Sequence, residues 1–151
     1  MDKRYTSGWT GSECKKAFFI HHRVRYADTD KMDMVYHGSY IPMLEAARVD
    51  TLREIGWVYE LMEKKGILLP VVDLSIKYFV PARYDQILKI VSHVIETPTS
   101  RLKFRFSIYH EETLLVTAEV CLAFIDTKSG RPIRAPQALI EGLEKHCLIH
   151  E

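Results

Sequence analysis

The chain combines one segment of helical periodicity with several segments in which apolar and polar residues alternate. At about 100° per residue, one stripe of residues 39–55 is apolar, and its members are Ile41, Leu44, Leu52 and Ile55, widened by Tyr40, Met43 and Ala47. An apolar arc of this width predicts a largely buried helix. Ser39 is the expected N-cap and Gly56 the expected stop.

Two-residue alternation predicts about five strands, one before this helix and four after it. The first covers residues 18–26, and the later ones cover 74–80, 87–95, 102–108 and 113–126. Shorter helices are expected over residues 58–65 and 136–147. Short turns between the later strands favour antiparallel pairing. A buried helix followed by such a meander predicts an α+β fold in which the sheet curls around the helix.

Length and composition fit a single domain over residues 17–151, preceded by a flexible leader at 1–16. The formal net charge of +1 argues against non-specific nucleic-acid binding. Three cysteines without a C-x-x-C pair predict neither a disulfide framework nor a zinc site, so no metal and no cofactor are expected. No apolar run reaches about 18 residues, so no membrane span is expected and a cytoplasmic location is the default.

The strongest candidate for chemistry is an acidic loop between the first strand and the long helix. It carries Asp28, Asp30 and Asp33. Free N–H groups at a helix start can stabilise a developing oxyanion, and a facing carboxylate can act as base or nucleophile on a carbonyl. Together they supply the minimum for acyl transfer. The alternative is a turn held by its own Asx hydrogen bonds.

Four segments around this loop carry a family resemblance. They are VRYADTD at 24–30, VYHGSY at 35–40, EAAR at 45–48 and VPARYD at 80–85. In order and spacing they resemble the 4-hydroxybenzoyl-CoA thioesterase family, most closely its Tol–Pal-cluster acyl-CoA thioesterase branch, over about residues 18–145. The resemblance implies a hot-dog fold, acyl-CoA hydrolysis, and self-association as a dimer or a dimer of dimers.

The resemblance also assigns roles within the loop. Asp30, the second Asp of the D-x-D, matches the family's catalytic carboxylate. The carbonyl-polarising amide matches the region of His37 and Gly38, and the His37 side chain matches one thought to assist. Family members usually carry small residues after the catalytic Asp, whereas residues 31–34 here are Lys-Met-Asp-Met. Because of this departure, the loop shape and the acyl pocket are expected to differ from those of the family, whereas the carboxylate is retained.

Further residues have open alternatives. Tyr36 either supports the site or packs in the core, and Asp28 is expected to brace the loop. Arg48 falls inside the apolar arc, where an unpaired charge is costly. A structural ion pair with Glu45 or a dimer contact is therefore expected, with Glu45 as a reserve catalytic group.

Several cations are candidates for contacts with the phosphates of coenzyme A, and a solvated surface is the alternative for each. They are Arg101 and Lys103 on one strand face, and Lys128, Arg131 and Arg134 after the last strand.

Acyl-CoA hydrolysis is the leading function. The alternatives are hydrolysis of an acyl-carrier-protein thioester and a non-catalytic acyl-CoA-binding module on the same fold. A hot-dog dehydratase is disfavoured because no histidine is paired with a carboxylate in that family's pattern.

Overall fold

The computed structural model describes residues 6–151 and contains a six-stranded antiparallel sheet in the order β1-β2-β5-β6-β7-β4. Its strands are β1 (Ser7–Gly11), β2 (Lys16–Arg23), β4 (Val71–Tyr78), β5 (Ile87–Val94), β6 (Arg101–His110) and β7 (Thr113–Ala123). The short strands β3 (Ile67–Leu68) and β8 (Ile125–Asp126) form a separate pair. The helices are α1 (Tyr40–Glu54), α2 (Tyr59–Lys64) and α3 (Gln137–Lys145).

Helix α1 is buried against one face of the sheet, as its broad apolar arc predicted. Its buried side chains are Tyr40, Met43, Leu44, Ala47, Thr51 and Leu52. Along β5 and β6 every second residue is buried, which gives the sheet an inner face against α1 and an outer face. The inner face supplies fully covered side chains such as Leu88, Phe104 and Ile108. This arrangement confirms the predicted α+β architecture and agrees with the hot-dog fold.

The main difference from the sequence prediction lies at the N-terminal end. Residues 7–11 form the edge strand β1, paired with β2, so the expected flexible leader is wrong for this segment and the sheet has six strands. Trp9 explains the pairing, since its ring meets Phe18 edge-on and stacks on His146. Residues 1–5 of the expected leader lie outside the described part of the chain.

Helix α1 begins and ends close to the predicted residues, but its predicted N-cap makes no side-chain hydrogen bond. A 3-10 turn over His37–Ser39 leads into the helix, and Ser39 occupies the N-cap without a side-chain capping bond. Gly56 follows the helix at φ +93°, a left-handed conformation that glycine adopts at little cost. Among the helices of residues 6–151, none has both the length and the apolar character needed to cross a membrane.

Candidate active site

The acidic loop folds back on the segment that leads into α1. Thr29 and Val35 form an antiparallel bridge, and the Tyr36 N–H donates to the Asp28 carbonyl at 2.9 Å. The Asp30 N–H donates to the Met34 carbonyl at 2.8 Å. Asp28 therefore lies opposite Tyr36, directly before the helix entrance, and Asp30 lies opposite Met34.

Asp28 is the buried anchor of this loop, which confirms its expected bracing role. Its side chain is only 8% exposed. Oδ2 accepts from the Arg25 N–H at 2.8 Å and from His22 Nε2 at 2.9 Å, and Oδ1 accepts from the Arg25 guanidinium at 3.3 Å. Burial raises the pKa of this carboxyl, but the hydrogen bonds from Arg25 and His22 outweigh burial, and the pKa lies below its ordinary value.

Asp30 is exposed at the tip of the loop. Its Oδ1 accepts a hydrogen bond from the Met32 N–H at 2.9 Å, which is the Asx-type turn that the sequence offered as an alternative. Within residues 6–151, its carboxylate makes no hydrogen bond to the helix entrance. The Asp30 carboxylate is therefore held at the exposed tip of the loop by its own turn.

The helix entrance offers unused donors. Across the described chain, neither the His37 N–H nor the Gly38 N–H has a hydrogen-bond partner. The first N–H groups of a helix lack intrahelical acceptors and carry partial positive charge, so they suit a developing oxyanion. The Tyr36 ring packs on this turn, with its centroid 4.2 Å from that of the exposed His37 ring.

Gly38 has a steric reason to lack a side chain. A Cβ added there would lie 2.9 Å from Cε1 of Tyr36, closer than real contacts allow. Tyr78 fixes the same turn from the sheet, because its hydroxyl donates to the His37 carbonyl at 2.9 Å. Burial, and then the neighbouring Tyr36, raise the pKa of Tyr78. The hydroxyl therefore stays protonated and able to donate at neutral pH.

Glu45 and Arg48 do not form the expected ion pair, since no salt bridge of 4.0 Å or less joins them in the described structure. Burial lowers the pKa of Arg48, and the charge of Glu45 partly opposes that effect. Both side chains line two adjoining apolar cavities beside α1. One, of about 150 Å³, begins at Ile41 and Leu44, and the other, of about 240 Å³, extends to Leu52 and Trp57.

The candidate phosphate contacts lie at the other end of the sheet. Arg101 begins β6, whereas the end of β6 at His110 lies beside the start of β5, near the acidic loop. A ten-residue strand spans about 30 Å. A bond from the Ala135 N–H to the Thr99 carbonyl brings the segment after β8 to this same far end. That segment carries Arg131 and Arg134, while Lys103 is paired with Glu96 at 2.7 Å.

The sequence prediction missed two residues of this region, His22 and Tyr78. His22 occupies an inward-facing position of β2 among apolar residues, and a polar side chain in such a row needs a partner. That partner is Asp28, six residues later, which the sequence did not identify. Tyr78 falls within the predicted strand 74–80, but its contact with the His37 carbonyl depends on tertiary structure. Within residues 6–151, no group of three or more metal-ligating side chains is gathered.

Comparison with known proteins identifies similar sequences among thioesterases. The family model described as the Thioesterase-like superfamily matches residues 24–143. The acyl-CoA thioester hydrolase YbgC of Escherichia coli O6:H1 is 31% identical over 119 residues, covering 78% of this chain and 89% of that protein.

Solved structures share both the fold and part of the sequence. A DHNA-CoA thioesterase from Staphylococcus aureus is 34% identical with a TM-score of 0.73, covering 77% of this chain and 78% of that one. A hypothetical protein from Thermus thermophilus is 31% identical with a TM-score of 0.79, covering 85% of this chain and 98% of that one. The fold is a hot-dog fold, and the chain belongs to the thioesterase-like superfamily.

Proposed function

We propose that this protein hydrolyses acyl-CoA thioesters to a free acid and coenzyme A. The observation that carries the proposal is the pair of unpartnered amides at His37 and Gly38, placed beside a loop that presents Asp30. The names of its relatives, which describe acyl-CoA thioester hydrolysis, support the same substrate class.

In this proposal the thioester carbonyl oxygen accepts hydrogen bonds from the His37 and Gly38 amides. These donors stabilise the negative charge that develops on that oxygen as the carbon becomes tetrahedral. Asp30 then acts in one of two ways. It either removes a proton from the attacking water, or attacks the carbonyl itself to give an acyl-enzyme anhydride that water hydrolyses. In both routes the C–S bond breaks and the thiolate of coenzyme A leaves. The exposed His37 side chain assists from the same turn.

The acyl group is proposed to lie along α1. The smaller apolar cavity begins at Ile41, one helical turn after Gly38, and Glu45 and Arg48 line both this cavity and the next. An acyl group attached at the helix entrance can therefore extend over apolar side chains. The nucleotide end of coenzyme A would have to extend along the full length of β6 to reach the cations at the far end of the sheet. These cations include Arg101 and Arg134.

Self-association is the second part of the proposal. Strand β4 lies at the edge of the sheet, and its region exposes apolar side chains, namely Val71, Val72, Tyr78, Phe79 and Val80. An exposed apolar edge favours pairing with another chain. A second copy would cover it, which supports a dimer or a dimer of dimers. Light scattering coupled to gel filtration gives the mass directly, and a strictly monomeric protein would contradict this part.

The decisive experiment measures free thiol release from a panel of aliphatic and aromatic acyl-CoAs. Carrier-protein thioesters of the same acyl groups are tested in parallel, with the corresponding free acids as a binding control. Turnover of the CoA esters supports the proposal. Turnover confined to carrier-protein esters would assign the alternative substrate, and tight acyl-CoA binding without thiol release would indicate a non-catalytic binding module.

A further inference from the structure

A histidine outside the residues discussed for chemistry connects the sheet to the acidic loop. His22 lies near the end of β2, in the inward-facing row that also contains Phe18 and Ile20. Its side chain is 23% exposed, and Nε2 lies 2.9 Å from Oδ2 of Asp28. Since an ionised carboxylate accepts hydrogen bonds but donates none, Nε2 carries the proton in this contact.

Asp28 also contacts the segment that leads into the helix entrance. Its side chain is bound to β2 through His22, while its carbonyl accepts from the Tyr36 N–H at 2.9 Å. Tyr36 directly precedes the turn that presents the His37 and Gly38 amides. One buried residue therefore joins the strand end, the acidic loop and the start of α1.

The other hydrogen bonds of the Asp28 side chain are local. Arg25 supplies both of them, and it lies only three residues before Asp28, in the same turn. The Arg25 side chain is 68% exposed, so its contact at 3.3 Å is screened by water. Among the described residues, His22 supplies the side-chain hydrogen bond that ties Asp28 to a strand of the main sheet. A cavity of about 350 Å³, lined by His22, Asp28, Ser39 and Pro42, leaves room for the loop to shift without it.

We propose that His22 is a positioning residue, which holds the acidic loop in the position that the proposed chemistry of Asp30 and of the His37 and Gly38 amides requires. This inference rests on the proposed function. His22 acts through Asp28 and not on the substrate. Small displacements of a reacting group cost rate more than binding, because the attack geometry is lost while the remote contacts persist.

The test compares His22→Val with His22→Gln. Valine suits a β-strand facing the core but offers no donor, whereas the terminal amide of glutamine can still donate to Asp28. We expect His22→Val to lower kcat by about tenfold to a hundredfold with KM changed by less than about twofold. His22→Gln should recover most of kcat. His21→Val is the matched control, because His21 points to the other face of β2 and contacts Thr6.

A second measurement keeps the test independent of turnover. Hydrogen exchange at the Tyr36 amide should accelerate in His22→Val and stay slow in His22→Gln. Wild-type kcat and wild-type exchange in His22→Val would overturn the inference, as would equal loss of kcat in both variants. Asp30→Asn is assayed alongside. If Asp30→Asn is inactive while His22→Val behaves as wild type, this inference alone fails. If Asp30→Asn keeps full activity, the proposed function of Asp30 fails, and the Tyr36 exchange still reports whether His22 anchors the loop.

Discussion

The hydroxyl of Thr51 on α1 lies 2.7 Å from the hydroxyl of Ser92 on β5, at a position where both side chains are 0% exposed. Thr51 also donates to the Ala47 carbonyl at 2.7 Å, and the Ser92 hydroxyl lies 3.3 Å from the Phe18 carbonyl. A small polar network thus crosses an otherwise apolar interface between helix and sheet. Because every hydroxyl in it has a partner, it fixes α1 at one position along the sheet.

Thr51→Val should therefore destabilise the fold. Valine has nearly the same shape, but it removes a buried hydrogen bond from Ser92, at a cost of about 1–2 kcal/mol. Urea unfolding followed by circular dichroism measures this loss. Thr113→Val on an exposed strand position is the control and should be nearly neutral. The double variant with Ser92→Ala should cost less than the sum of the two single changes, and strict additivity would show that the hydroxyls are not coupled.

Asp30→Asn should abolish most of the thioesterase activity. The amide is similar in size but cannot take the proton from water or attack the thioester, and removal of a general base costs about 10²–10⁴ in rate. Asp33→Asn is the matched control from the same loop. Asp33 has a positive φ of 61°, which asparagine tolerates well, so the loop shape should be kept. Equal kcat in Asp30→Asn and wild type would show that another group performs this step.

Gly38→Ala should impair turnover while leaving the fold intact. The new Cβ would contact the Tyr36 ring at 2.9 Å, and the half-exposed ring can move aside, but the turn that presents the amides changes with it. We expect kcat to fall by about tenfold. Gly142→Ala in α3 is the contrasting change, because its Cβ would lie 3.7 Å from Ile55. It should raise the stability by about 0.5–1 kcal/mol with unchanged kcat.

Stability should fall on mild acidification because of His93. Burial, followed by the neighbouring His150 and Arg105, lowers its pKa to about 4. An unfolded chain binds the proton near pH 6.5, so between pH 6.5 and 4 the unfolded state holds more protons than the folded state. The free energy of unfolding should therefore decrease across this window, by about 3 kcal/mol at most. His93→Gln should flatten the slope measured by urea titration, and an unchanged slope would contradict this origin.

Most of the architecture could be predicted from the sequence because helices and strands bury residues at different, regular spacings along the chain. The broad apolar arc of α1 and the strict alternation of β6 both survive in the structure with shifts of a few residues. Strand β1 was missed because Ser7–Gly11 is short and rich in glycine and hydroxyl residues. Its pairing depends on Trp9 meeting Phe18 and His146, a contact with a residue far away in the chain.

The site was predictable in its parts more than in its geometry. The motif indicated Asp30, His37 and Gly38, and the structure places them in one segment whose loop is closed by the bridge between Thr29 and Val35. The direction of the Asp30 carboxylate depends on its hydrogen bond to Met32, which spacing alone does not decide. Arg48 shows the same limit, since neighbours three apart on a helix can pair but do not have to.

The contact from Tyr78 to the His37 carbonyl has a consequence for how activity should vary with dilution. Tyr78 is the last residue of the edge strand β4. A second copy of the chain that packs against this edge would therefore lie next to the residue that holds the His37 carbonyl. If copies of the chain separate at nanomolar concentrations, turnover per molecule should drop in step with the loss of assembled protein. The Tyr78 hydroxyl would then couple self-association to catalytic activity.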